Sequence, residues 1–219
     1  MKNPAGIAIE KAVRLYTRHE DIADAVVHVL GIVFAINASL WLLFHVTGLS
    51  VVVSVTVYCI GLLAMIGCSA AYNLVPYHRP SKQILRRFDH AAIFIMIAGT
   101  YTPFAMNRLG AYGNTILITI WCAATFGVVL KVLFPRRFEF ASLALYIGMG
   151  WLIATVISPL AHTMAKFDFW LLLAGGFVYT GGVAFYVIER IPYHKAIWHA
   201  AVLVAAALQF SAIALEFVS

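Results

Sequence analysis

Three pairs of polar side chains stand four residues apart within apolar stretches: Asp24 with His28, Ser69 with Asn73, and Lys195 with His199. On a helix of 3.6 residues per turn, each pair shares one face. Asp89 and His90 add a neighbouring acid and imidazole. Such groups pair ionically or line a polar cavity, and near hydrocarbon they are costly unless they face inward and find partners. Each also has an ordinary use. Lys195 can reach the headgroups, Asp89 can complement a helix dipole, Ser69 can bond its own backbone, and His28 and His90 can sit at an interface. What sets the eight apart is where the chain must place them.

The elements that position them follow from composition. Of 219 residues, 63% are hydrophobic and 11% charged, against roughly 25% charged in a typical soluble domain. A soluble domain of this size could not hide so much apolar surface, so the expected fold class is an all-α membrane protein. Seven apolar stretches, near 25–46, 51–73, 89–106, 114–134, 140–160, 169–188 and 196–218, approach the roughly 20 helical residues that span a bilayer. Backbone groups in lipid must bond internally, which makes these helices. Gly48 with Ser50, Pro76 with Pro80, Pro135 and Pro192 separate successive spans, as turn and breaker residues do. Tyr101-Thr102-Pro103 predicts a kink in the third span, since proline removes a backbone bond. Thr17-Arg18-His19-Glu20 reads as a capping box opening a helix that runs into the first span.

Residues 1–24 are charged and lack an apolar run with a cleavage site, so they read as an N-terminal segment and not a cleaved signal peptide; residues 25–219 form the membrane domain. Cys59, Cys68 and Cys122 read as small buried apolar residues. Gly175, Gly176, Gly181 and Gly182 in the sixth span, with Ala200, Ala201 and Ala205 to Ala207 in the seventh, predict close helix packing.

Basic residues sort by side. Thirteen of the 15 Lys and Arg fall in the N-terminal segment or around the second, fourth and sixth connections, leaving only Arg108 and Lys166 on the other face. By the positive-inside rule the N-terminus is cytoplasmic and the C-terminus outside, which requires an odd number of spans. The net charge of +6 is thus a topology signal, and no nucleic-acid partner is expected. This topology puts Asp24, His28, Ser69, Asn73, Asp89, His90, Lys195 and His199 at similar depth, where they can line one cytoplasm-facing polar cavity. Their agreement in depth outweighs the ordinary use of each. His45, His162, Arg108 and Asp168 fall on the outer side, with Asp168 read as capping the sixth span. His78 belongs to a basic loop, and Trp41, Trp151, Trp170 and Trp198 to interfacial belts.

The stretch LRRFDHAAIFIMIAGTYTPFA, from Leu85 to Ala105, resembles the third-helix signature of bacterial haemolysin III proteins, relatives of the progestin and adipoQ receptors and, more distantly, the alkaline ceramidases. IPYHKAIWHAAVL, from Ile191 to Leu203, resembles the start of that family's seventh helix, and EDIADAVVH, from Glu20 to His28, its N-terminal segment, with Asp24 where Asn is usual. The resemblance covers the chain from residue 20 to about 213. It implies a seven-helix bundle with zinc near the cytoplasmic end, held by a helix-two His and two helix-seven His, beside a Ser and an Asp. Ser69, Asp89 and His199 occupy matching positions, whereas the helix-two ligand position is Asn73 and the first helix-seven position is Lys195. Asn is a poor zinc ligand, and a charged Lys195 brings a cation to the place of a dication. One inherited ligand, His199, survives. A rebuilt set of Asp24, His28, Asp89 and His199 is one alternative; a Lys195 ammonium set between Asp89 and Asp24 in place of the metal is another.

These readings favour a multi-pass protein of the bacterial inner membrane with membrane lipids as partners, acting as a sensor or regulator of lipid composition or as a receptor for a small lipid or peptide. The first alternative is a metal-dependent hydrolase of a lipid amide or ester such as ceramide, with Ser69 and Asp89 in catalytic roles. Pore formation ranks last, because the charged residues cluster at one depth and line no continuous path.

Overall fold

The first long helix shows how the fold is organised. Along α1 (Arg18–His45), Glu20, Asp24, His28, Gly31, Ala35, Ala38, Ser39 and Leu42 form a buried stripe at three- and four-residue spacing. The opposite face exposes Ile22, Val26, Val29, Leu30, Val33, Ile36 and Leu40. Its polar groups therefore point into the protein and its aliphatic ones outward, the reverse of a soluble amphipathic helix. The outer face needs lipid.

The structure, a computed structural model, describes residues 17–76 and 79–218. After α1 come α2 (Leu49–Leu74), α3 (Ser81–Asn107), α4 (Gly113–Leu133), α5 (Glu139–Gly150), α6 (Ile157–Thr163), α7 (Lys166–Val187) and α8 (His194–Phe217), with 3₁₀ turns at Gly110–Tyr112 and Trp151–Val156. Among the described residues there is no strand; a single bridge joins Val46 to Val218, at the far ends of α1 and α8. Packing runs α1 on α2, α2 on α3, α3 on α4, α5 on α3 and α4, and α7 on α8, and α1 against α8 closes the ring. Thr17 and Glu20 form the expected capping box, and α1 continues unbroken from it. The chain is an all-α membrane protein.

Three expectations need correction. Six segments among the described residues are long and apolar enough to cross a membrane, and α3 is not one of them. It begins at Ser81, eight residues before the expected Asp89, so Lys82, Arg86 and Arg87 are helical and not loop. Sandwiched between α2 and α4, α3 meets protein on both sides and needs less apolar surface; beyond its polar first turns it buries Phe94, Met96, Ala98 and Phe104. The expected fifth span is kept at Glu139–Thr163, but its helix is interrupted by a 3₁₀ turn between α5 and α6. Pro159 lacks the N–H that would bond Thr155 and crowds its carbonyl, which opens the helix upstream. Asp168 does not cap α7, whose N-cap is Ala165; it lies buried beside Glu216. The expectations for His78 and for the segment before Thr17 fall outside the described residues.

Small residues bring backbones together. A Cβ on Gly61 of α2 would meet the Ile95 carbonyl oxygen at 3.2 Å, and one on Gly99 of α3 the Val57 oxygen at 3.3 Å. On α7 a Cβ at Gly182 would lie 2.9 Å from Ala201 Cβ on α8, whereas neighbouring Gly181 has nothing within 4 Å. Gly182→Leu is therefore expected to lower stability by about 1–3 kcal/mol through overpacking, and Gly181→Leu to be neutral or mildly stabilising. Thermal unfolding of the two variants in detergent checks the difference.

Candidate functional site

Asp24 is the centre of the site. The capping box sets the phase of α1 so that Asp24 and His28, each 4% exposed, fall on the inner stripe. Glu20 of the same box also accepts a hydrogen bond from the Tyr193 backbone N–H at 2.9 Å. Tyr193 adopts a left-handed backbone (φ +58°) immediately before α8. This latch brings the first two turns of α8 against α1. There the His199 Nδ1 lies 2.5 Å from Asp24 Oδ1, and the Lys195 ammonium 2.9 Å from Oδ2. His28 Nε2 stands 3.6 Å from Oδ2, and its ring centroid lies 4.5 Å from that of His199. One carboxylate thus gathers three basic groups from two helices 171 or more residues apart in sequence, apart from its own i+4 histidine.

The other expected residues lie nearby with different partners. Ser69 on α2 faces Asp89 on α3. Asn73 turns its amide back on its own helix, donating to the Ser69 carbonyl at 2.9 Å and to the Ser69 hydroxyl at 3.3 Å. Asp89 sits two turns inside α3 and so is not a helix cap. His90 belongs to a second cluster: its Nδ1 is 3.9 Å from Glu139, which also accepts from Arg86 at 2.9 Å and from the buried Lys131 at 2.8 Å. Sequence reasoning missed Glu139, and it placed Glu20 only in the capping box, without its bond to the Tyr193 N–H. The available signal for Glu139 was its place as the lone acid at the start of a span beside the basic Arg136 and Arg137.

These groups open onto a cavity of about 410 Å³. His28, Ser69, Asn73, Arg86, Asp89, His90, Lys195 and His199 line one part of it. Met65, Met96, Ile147, Val183, Val202 and Leu203 line another, with Tyr179 and Thr180 further along α7. Asp24 stands behind His199 and Lys195 and holds them. Trp151 and Trp198 also line this cavity, and Trp151 donates its indole N–H to Thr180 at 3.0 Å.

The zinc implied by the resemblance does not fit the inherited positions. Asn73 spends its amide on Ser69, and Lys195 places an ammonium on Asp24. A different set, Asp24, His28 and His199, has donor atoms within 4.8 Å of one another, and a carboxylate with two imidazoles is chemically suited to a divalent metal.

If the Asp24 cluster is a coupled unit, Lys195→Met leaves the buried carboxylate short of a partner and lowers stability by about 1–3 kcal/mol. Adding Asp24→Asn to that variant is expected to recover part of the loss. Denaturant unfolding in a double-mutant cycle checks this, and strict additivity of the two substitutions would show that the residues act independently.

Comparison with known proteins agrees with the geometry. Residues 16–210 match the family described as Haemolysin-III related. The Hemolysin-3 homolog of Bacillus subtilis (strain 168) is 36% identical over 200 residues, covering 90% of this chain and 93% of the relative. Hemolysin-3 of Bacillus cereus is 39% identical over 195 residues, covering 87% and 89%. Monocyte to macrophage differentiation factor of Homo sapiens is 28% identical over 163 residues, covering 72% and 67%. With a family match running from before α1 into α8 and two relatives above 30% identity over most of their length, the chain belongs to the haemolysin III family, related to the progestin and adipoQ receptor type of membrane protein.

Proposed function

We propose that this protein senses or regulates membrane lipid composition by holding one amphipathic lipid in its cavity. The polar group sits among His28, Asp89, Lys195 and His199, and the chain runs along Met96, Ile147, Val183 and Val202. The observation that carries this reading is the two-part lining of a single cavity. Along α8 the lining extends from His194 to Gln209, about 22 Å at 1.5 Å per residue, which suits a long, slender molecule. The helix packing also supports a route from the bilayer. α5 makes almost no contact with α7; the fifth and sixth spans are linked instead by Trp151 against Phe177 and Thr180, and by α6. Leu143 and Ile147 of α5 and Val183 and Tyr186 of α7 line the cavity across that gap.

A second reading, hydrolysis of a lipid amide or ester, draws on His199. Asp24 engages its Nδ1 and its ring lines the cavity, the arrangement of a general base oriented by a carboxylate.

Native mass spectrometry of the detergent-purified protein tests the first reading. About one co-purified lipid per chain is expected. Gly176 lines the cavity and a Cβ there meets nothing within 4 Å, so Gly176→Leu is expected to expel the lipid while leaving the melting temperature in place. Wild-type protein free of lipid would overturn the reading. Incubation with ceramide separates the second: fatty-acid release by wild type well above that of Asp24→Asn favours hydrolysis, and equal release favours binding alone.

We further propose that the ionisable end of the bundle faces the cytoplasm of a bacterial inner membrane. Arg79, Lys82, Arg86 and Arg87 near the start of α3, Arg136 and Arg137 before α5, and Arg190 and Lys195 around the start of α8 all belong to that end, as the positive-inside rule requires. Alkaline phosphatase fused at the C-terminus is expected to be active, and the same enzyme fused after Arg137 inactive; the reverse pattern would invert the orientation.

A further inference from the structure

We propose that Lys195 and a divalent metal ion of the zinc class are alternative occupants of the Asp24–His28–His199 cluster, so that Lys195 acts as a tethered cation that excludes the metal until it swings away. Four observations carry this. Donor atoms of the three residues lie within 4.8 Å of one another on two facing helices. His28 Nε2 is fully buried, has no hydrogen-bond partner among the described residues, and points at Asp24 Oδ2 from 3.6 Å. A buried imidazole nitrogen in that position lacks the bond it would ordinarily make; a metal ion beside the carboxylate would supply it. Ligands bound at about 2.0–2.2 Å to one zinc stand roughly 3–4 Å apart, a spacing the His28–Asp24 pair already has. Finally, the remaining charge balance is met by Lys195, whose ammonium lies 2.9 Å from the same Oδ2.

An ammonium and a dication cannot share one carboxylate oxygen without strong repulsion in a site of low dielectric. Lys195 has somewhere to go: its side chain is 27% exposed and lines the cavity, and a flexible four-carbon stem lets it rotate into that space. With the ammonium withdrawn, the His199–Asp24 contact at 2.5 Å has to open by only about 1 Å to admit an ion between them. Two of the three ligands come from α1 and one from α8, so metal and ammonium each tie the same two helices. The switch therefore exchanges one cross-link for another.

Calorimetric titration of purified protein with zinc chloride tests the exchange. Lys195→Met is expected to bind one zinc at least 10-fold more tightly than wild type, and His28→Ala in that background to abolish the gain. Equal affinity of wild type and Lys195→Met would overturn the proposal, as would a gain that survives loss of His28. A second measurement uses the unaltered protein and so does not depend on the variant folding. Zinc is expected to raise the rate of amine-reactive labelling at Lys195 several-fold, read by mass spectrometry, and an unchanged or slower rate overturns the exchange.

Discussion

Asp24 lies 4% exposed inside a ring of helices whose outer surface is aliphatic, and a carboxylate there is tolerable only with close basic partners. Its partners come from the first two turns of α8, so α1 and α8 must meet in one register. Helix association in a bilayer lacks the hydrophobic drive that holds soluble bundles together, and polar contacts and close packing must supply it. The Asp24 cluster does so at the seam where the first and last helices of the ring join.

The same device recurs across the bundle. Glu139 gathers Arg86 and Lys131, with His90 close by, and so ties α5 to α3 and α4. Each cluster is a single acid serving several basic groups, some of them from helices distant in the chain. At the opposite end Arg108 pairs with Glu216, anchoring the end of α3 to the end of α8. Where no ionic cluster acts, glycines bring backbones together, as Gly61 and Gly99 do between α2 and α3 and Gly175 and Gly182 do between α7 and α8. The ring is thus held by a few charged joints and by tight backbone contact.

The cavity exists because this scheme leaves one wall thin. Gly31, Gly150 and Gly176 contribute no side chain to its lining, and α5 gives way to a 3₁₀ turn where it would otherwise press on α7. Functional polarity and apolar volume therefore share one space. The ionisable clusters that hold the helices at one end also make that end of the cavity polar, while the rest keeps the character of the spans that form it.

The helical type of the spans, the capping box at Thr17, the Gly–Ala packing of α7 on α8 and the burial of Asp24 beside His28 were legible in the residues, because helical periodicity and bilayer thickness act locally along the chain. The start of α3 was not. Lys82, Arg86 and Arg87 look like loop residues until packed neighbours supply acceptors: Lys82 donates to the Tyr72 and Val75 carbonyls at the end of α2, Arg86 to Glu139 and Arg87 to the Val132 carbonyl. Nor was the division of the eight polar residues. Similar depth does not say which will touch, and only the packed helices sent Asn73 to Ser69, His90 toward Glu139, and Lys195 with His199 to Asp24. The sequence by itself determined that these groups lie on inward faces near one end, since that follows from spacing and hydrocarbon. Tertiary structure alone decided the pairings, because a contact between residues 175 positions apart depends on how helices close into a ring, and no local spacing records that.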